Sequence, residues 1–272
     1  MQDLTTLFNE ILADMPDEIE TEQLSFHDFA VRQCEWYNES EGGLNEMDCP
    51  ECKNRGYFQT LDEDDNKIMK ECRCMAARRY IRAMMVAGLG DLYKKCTFEA
   101  YEVTEEWQKV CKETALKYAK QDGDGWFFFA GNSGSGKTHL CTAICSSLAK
   151  RGRQIMYVQW VRLYEKLVQT RFKETEQEAI FSGIEKADVL YLDDFLKTPR
   201  NVPPKEDMLS YALEIVDARY KAGKKTIFSS EFPLSQISSF DEALGGRLYE
   251  MTKEYQTYTG NDKRRNYRTK GG

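Results

Sequence analysis

The octapeptide Gly131-Asn132-Ser133-Gly134-Ser135-Gly136-Lys137-Thr138 fits the pattern G-x-x-x-x-G-K-[ST] at every fixed position. Each residue type has a use around a phosphate. Glycines at 131, 134 and 136 let the backbone curl so that successive amide N–H groups face one anion, and a following helix adds partial positive charge at its N-terminus. Lys137 is placed to reach the β and γ phosphates of a nucleotide. Thr138 offers a hydroxyl to Mg²⁺, an ion that takes oxygen ligands and shares the phosphates. His139 ends the run of candidate nucleotide contacts, although an imidazole there is as readily a packed or solvated helix side chain. The context agrees: an apolar strand, Trp126 to Ala130, leads in, and a helix, Lys137 to Lys150, leads out.

A phosphate loop serves small-molecule kinases, GTPases and motor ATPases alike, so residues further along must discriminate. Val189-Leu190-Tyr191-Leu192-Asp193-Asp194 is an apolar strand ending in two carboxylates. The first, Asp193, is expected to hold magnesium. The second, Asp194, is the candidate general base for an attacking water, a role that needs a carboxylate near the γ phosphate but off the metal. A simple polar strand end is the alternative. Thr226-Ile227-Phe228-Ser229-Ser230-Glu231 is another strand whose polar end offers a sensor beside the site, or merely begins the loop ahead of Pro233. Arg247, in Gly245-Gly246-Arg247-Leu248 where a helix begins, carries a guanidinium able to stabilise phosphoryl charge from a neighbouring subunit. An isolated arginine is otherwise surface charge.

Cys49, Cys52, Cys72 and Cys74 form C-x2-C, nineteen intervening residues, then C-x-C, close to a zinc-ribbon spacing with the second pair one residue tighter. Four thiolates suit a closed tetrahedral Zn²⁺ site with a structural task. Buried free thiols are the alternative. Cys96, Cys111, Cys141 and Cys145 fall at core positions and receive no chemistry.

These groups need elements to position them. Residues 1–48 hold thirteen acidic residues against one arginine. Leu4, Leu7, Phe8, Ile11 and Leu12 there recur at helical spacing, so the segment reads as an acidic helix, packed on its own protein or docking a partner. Residues 49–90 read as the zinc-ribbon-like module and a basic helix near Met75 to Ala87, ended by Gly88 and Gly90. Residues 91–272 read as the ATPase domain: after a helix from Glu105 to Lys120, strands alternate with helices through Ile155 to Gln159 and Met208 to Ala222, which means a parallel sheet covered by helices. The expected fold class is therefore α/β, a P-loop core behind a small metal module.

No long apolar run and no basic leader followed by an apolar stretch occurs, so the chain is expected in the cytoplasm without membrane association. The net charge of -7 argues against coating duplex DNA by bulk charge. Local patches remain: Lys263, Arg264, Arg265, Arg268 and Lys270 beside Tyr258 and Tyr267, and Arg78, Arg79 and Arg82 on the basic helix. The first mixes cations with aromatic faces as single-stranded DNA binding requires, and equally suits a solubilising tail or an acidic protein surface.

Taken together, Cys49-Pro50-Glu51-Cys52 with Gly56-Tyr57, Cys72-Arg73-Cys74, Thr97-Phe98, the phosphate loop, Leu192-Asp193-Asp194, Gly246-Arg247-Leu248 and Gly260-Asn261-Asp262-Lys263-Arg264 resemble the DnaC/DnaI-type bacterial replicative helicase loaders and their IstB-like transposase-helper relatives. The resemblance spans roughly residues 49–268. It implies an AAA+ fold without a large lid domain, ATP-dependent assembly into a homo-oligomer, contact with single-stranded DNA, and delivery of a ring-shaped replicative helicase. By position it makes Arg247 an arginine finger and Arg264 a second sensor arginine bound to nucleotide. Glu231 departs from the family's usual Asn at the first sensor. A carboxylate cannot donate a hydrogen bond and repels phosphate, so either hydrolysis is slow or Ser230 takes the role. A helicase loader is the leading reading. A transposase helper, a nucleotide-gated adaptor with weak hydrolysis and a small-molecule kinase compete, the last disfavoured by the Asp193-Asp194 pair.

Overall fold

The structure, a computed structural model, describes residues 25–86, 90–199, 202–260 and 265. The apolar positions Leu4 to Leu12, Gly88, Arg264 and the tail beyond Arg265 lie outside the described residues. Two compact units divide the chain: one holds residues up to 44 together with 48–72, the other 45–47 and 73 onward.

The small unit contains helix α1 (Phe26–Glu39) and a hairpin of strands β1 (Tyr57–Leu61) and β2 (Lys67–Glu71). Ser25 caps α1, its hydroxyl accepting from the Asp28 amide at 3.1 Å. The acidic turn is built by Asp62, whose Oδ1 accepts from the amides of Asp64 and Asn66, both at 2.9 Å. Asn38 of α1 satisfies both backbone groups of Gln59, donating to its carbonyl at 2.8 Å and accepting from its amide at 2.9 Å. β1 thus runs from Tyr57 to Leu61 and pairs antiparallel with β2. That partner, Lys67-Ile68-Met69-Lys70-Glu71, faces solvent so largely that its sequence carries no apolar signature.

The large unit begins with α2 (Cys74–Val86), the short α3 (Leu92–Lys95) and α4 (Glu106–Lys120). Next come β3 (Phe127–Ala130), α5 (Lys137–Lys150), β4 (Ile155–Gln159), α6 (Trp160–Gln169), α7 (Glu174–Lys186) and β5 (Val189–Phe195). The unit closes with α8 (Glu206–Lys221), β6 (Lys225–Ser230), α9 (Leu234–Phe240), α10 (Glu242–Thr252) and β7 (Gln256–Tyr258). The sheet order is β4-β5-β6-β3-β7, parallel throughout.

Such a sheet is covered on both faces, and the strands show why. Phe127, Phe129, Tyr157, Tyr191 and Ile227 join one core with α2, α4 and α5, while Phe128, Ala130, Leu190, Leu192 and Phe228 join another with α6, α8, α9 and α10. The period-two alternation of a strand sends successive aromatics to opposite layers. Arg219, fully buried on α8, donates to the carbonyls of Ile184 at 3.2 Å and Glu185 at 3.1 Å and to that of Ala187, which satisfies the last turn of α7.

One position differs from expectation, and one open choice is decided. Arg247 lies midway along α10 instead of at a helix start, because Asp241 supplies the cap, accepting from the Leu244 amide at 2.8 Å. Ser229 and Ser230 belong to β6 and are fully buried, so they end a strand and do not open a loop. Among the described residues no helix is long and apolar enough to cross a membrane.

Candidate functional site

The phosphate loop follows β3, Asp193 and Asp194 stand near the end of β5, and Ser229 and Ser230 end β6, so the parallel sheet brings all of them to its carboxyl edge. β6 lies between the other two strands. Ligands of open parallel sheets bind at that edge, where strand order reverses. Here a cleft of about 360 Å³ is lined by Ser133, Gly134, Gly136, Lys137, Thr138 and His139 of the loop and by Asp193, Asp194, Lys197 and Glu231, with Leu92 and Cys96 from α3 and its end.

Gly131, Gly134 and Gly136 adopt φ of +155°, +79° and +86°. At Gly136 a side chain would also meet the Tyr101 ring at 2.9 Å, so this loop cannot be built from other residues. Asn132, Ser133 and Ser135 complete it, and Ser135 is buried. Lys137 Nζ folds back onto the loop, donating to the carbonyls of Gly131 at 2.8 Å and Asn132 at 2.9 Å. Burial pushes its pKa below the usual lysine value, with Glu231 and Asp194 acting in the opposite sense.

Asp193 collects hydroxyls. Tyr191 donates to Oδ1 at 2.7 Å, Tyr157 to Oδ2 at 3.0 Å, Thr138 to Oδ1 at 3.3 Å, and Ser229 also to Oδ1. Burial and then the Asp193 charge raise the pKa of both tyrosines, so they remain phenols and act as donors. Neither tyrosine was singled out by the motifs. Their signal was the period-two position that puts Tyr157 and Tyr191 on the α5 side of adjacent strands. The Ser229 hydroxyl also accepts from the Asp194 amide at 2.9 Å, whereas Ser230 is engaged with backbone, donating to the Phe195 carbonyl at 2.8 Å.

Asp194 sits in a β-bulge between Leu192 and Phe195, with φ of +54°, and Leu196 follows at +59°. Left-handed backbone suits Asp but costs Leu about 1–2 kcal/mol, which burial of the Leu196 side chain offsets. The bulge returns the chain over itself, Lys197 N donating to the Asp194 carbonyl at 3.0 Å. Lys197 Nζ then pairs with Asp194 Oδ2 at 2.7 Å and lies 3.6 Å from Glu231 Oε1. Partial burial pulls its pKa down, but Asp194 and then Glu231 outweigh that and raise it. Sequence reasoning missed Lys197, since nothing in Phe195-Leu196-Lys197 marks a reversal.

Other candidates stand apart from the cleft or border it. His139 lines it, yet its Nε2 donates to the Thr97 carbonyl at 2.7 Å and its ring meets Tyr101 edge-on. Arg247 pairs with Asp217 and donates to the Ala243 carbonyl at 3.2 Å, away from the phosphate loop.

Cys49, Cys52, Cys72 and Cys74 are all buried, and their four sulfurs lie within 4.8 Å of one another. Cys49 and Cys72 Sγ are 3.8 Å apart. A tetrahedron with Zn–S bonds of about 2.3 Å has edges of about 3.8 Å, so the donor set fits that ion. The Gly56 amide donates to Cys52 Sγ at 3.2 Å and Arg78 Nε to Cys74 Sγ at 3.5 Å, contacts that stabilise thiolate charge. Arg78 is fully buried and its Nη1 also pairs with Glu46 at 2.9 Å, so it is not available to a surface basic patch with Arg79 and Arg82. Burial pushes the thiols of Cys141 and Cys145 well above the usual range and that of Cys111 to about 11, in keeping with inert core residues.

Comparison with known proteins places this geometry. The family model for the bacterial DnaA ATPase domain matches residues 92–252, more than half of the chain. The chain therefore belongs to the bacterial DnaA ATPase-domain family. It is 27% identical to the uncharacterized protein YqaM of Bacillus subtilis strain 168, over 77% of this chain and 82% of that protein. It is 30% identical to the replicative helicase loader DnaC of Escherichia coli K12, over 45% of this chain and 54% of DnaC. The chain thus spans about half the length of that loader. In fold it is similar to the crystal structure of the DnaC helicase loader, with a TM-score of 0.53 at 20% identity, over 61% of this chain and 97% of that one.

Proposed function

We propose that the protein is a Mg²⁺-dependent ATPase that loads a ring-shaped replicative DNA helicase, gripping the helicase through its N-terminal part. The observation that carries the ATPase reading is the convergence of Thr138 and Ser229 on Asp193, which joins the phosphate loop to two neighbouring strands. Thr138 and Asp193 would hold magnesium, whose charge offsets that of the phosphates. Backbone amides of 131–136 and Lys137 would bind the triphosphate, and Asp194 would accept the proton of the attacking water. The loader reading draws on the DnaC relative. Zn²⁺ at the four cysteines would staple a small unit that has little core of its own. Arg247 would complete a neighbouring subunit's site in a homo-oligomer, and single-stranded DNA would be a further partner.

A nucleotide-gated adaptor with weak hydrolysis is favoured by one feature, the pairing of Asp194 with Lys197, which occupies the candidate base. Mixing the protein with a candidate replicative helicase, with ATP or ADP, and weighing the complexes tests loading. Turnover measured with and without helicase and single-stranded DNA separates the two readings. ATP-dependent complexes with stimulated turnover support the loader; ATP-dependent complexes without turnover favour the adaptor; no complex with any helicase overturns both.

A further inference from the structure

Three carboxylates, Asp193, Asp194 and Glu231, line the cleft in which the proposed function puts a triphosphate. At about 4 Å two like charges near a protein surface repel by about 4 kcal/mol, so this acidic set opposes a polyanion unless cations answer it. The lining holds two, Lys137 and Lys197. Lys137 belongs to the phosphate loop. Lys197 belongs to no motif, and it contacts the two carboxylates nearest the expected γ position, Asp194 at 2.7 Å and Glu231 at 3.6 Å.

Glu231 cannot donate to a γ phosphate, and both buried serines at the end of β6 are committed, Ser229 to Asp193 and Ser230 to Phe195. The first-sensor task in this fold requires a donor, and the side chains on β6 leave none for it. We infer that Lys197 is the γ-phosphate-sensing, specificity-determining side chain of this site, with Glu231 and Asp194 serving as its positioning anchors.

An ammonium has three donors and no acceptor, so it can serve two carboxylates and still offer a hydrogen bond to a phosphate. The backbone is shaped to deliver it. The left-handed pair Asp194 and Leu196 turns the chain after the bulge so that residue 197 returns over residue 194, and strained positions of this kind persist where the surrounding structure over-determines them. The acid at 231 then acquires a purpose: an acid–base pair, Glu231 with Lys197, does the work of a single neutral amide. Selectivity for triphosphate over diphosphate follows, because only the former carries the group Lys197 contacts.

The inference rests on the nucleotide-binding reading, and the experiment separates the two. Affinities for AMPPCP and ADP are measured by calorimetry with Mg²⁺ for the wild type, Lys197→Met and Lys197→Arg. One charge-assisted hydrogen bond corresponds to about tenfold in affinity or more. Lys197→Met is expected to weaken AMPPCP by about that factor with ADP nearly unchanged, and Lys197→Arg to restore most of the difference. Equal weakening of both ligands, or no weakening of either, overturns the sensing role while leaving nucleotide binding intact. A wild type that binds neither ligand overturns the nucleotide reading itself, and this inference with it.

Discussion

Thr138 Oγ1 donates to Asp193 Oδ1 at 3.3 Å, although the two residues are 55 positions apart and lie on different elements. The contact exists because β6 separates their strands and the sheet is parallel, so the first turn of α5 and the end of β5 reach the same edge. A hydroxyl and a carboxylate at that spacing would supply two positions of an octahedral magnesium shell, and the remaining ones suit phosphate oxygens and water.

Nucleotide and metal binding are expected to be separable. Lys137→Ala should weaken ATP binding by about a hundredfold or more through loss of charge-assisted contacts, yet retain one zinc per chain by elemental analysis. Cys52→Ser should do the reverse, losing zinc and lowering the melting temperature while ATP binding persists. Loss of both properties in either variant contradicts two independent sites.

Stability should depend on acid through Glu46. Its carboxyl is held down at about 2 against an ordinary value of 4.5, first by the Arg82 hydrogen bond and further by that of Arg78. A depressed folded-state value means stabilisation present above pH about 4.5 and lost as pH falls through about 2. Glu46→Gln leaves the buried Arg78 guanidinium without its carboxylate and should destabilise at pH 7 by about 3 kcal/mol. Denaturation of the two proteins should show this gap narrowing steadily below pH 4.5. A gap independent of pH contradicts the assignment.

Adjacent glycines on α10 should behave oppositely. A Cβ at Gly245 would stand 2.5 Å from Ser238 Cα and 2.2 Å from its hydroxyl, whereas one at Gly246 meets nothing within 4 Å. Gly246→Ala should stabilise by about 1 kcal/mol through helix propensity, and Gly245→Ala should destabilise by about 2 kcal/mol or more by forcing α9 and α10 apart. Urea unfolding measures both, and equal effects would show that the α9–α10 contact is not tight.

How much of this was legible in the sequence depended on how local each signal is. The phosphate loop is contiguous, and glycine, lysine and threonine declare their uses within eight residues. β5 announced itself by an apolar run ending in carboxylates. The four cysteines have one common chemistry at that spacing. Tyr157 and Tyr191 were hidden because aromatic residues in a strand look like core, and only the sheet register aims both at Asp193. Lys197 was hidden because its place depends on a bulge that composition does not encode. Arg78 passed as surface charge because its partner, Glu46, lies 32 residues earlier. β2 and α7 escaped notice because solvent-facing elements carry little apolar periodicity. Arg247 was put at a helix start, whereas Gly245 and Gly246 lie inside α10 and Gly245 is there for close packing.

The central claim is that Thr138 and Asp193 share a magnesium ion with a triphosphate gripped by the loop at 131–138. Calorimetry of AMPPCP binding with and without millimolar Mg²⁺, in the wild type and in Asp193→Asn, tests it most directly. The account predicts that magnesium strengthens binding to the wild type by about tenfold or more and that Asp193→Asn loses this gain while still binding nucleotide. No binding heat from the wild type, or a magnesium gain untouched by Asp193→Asn, would contradict it.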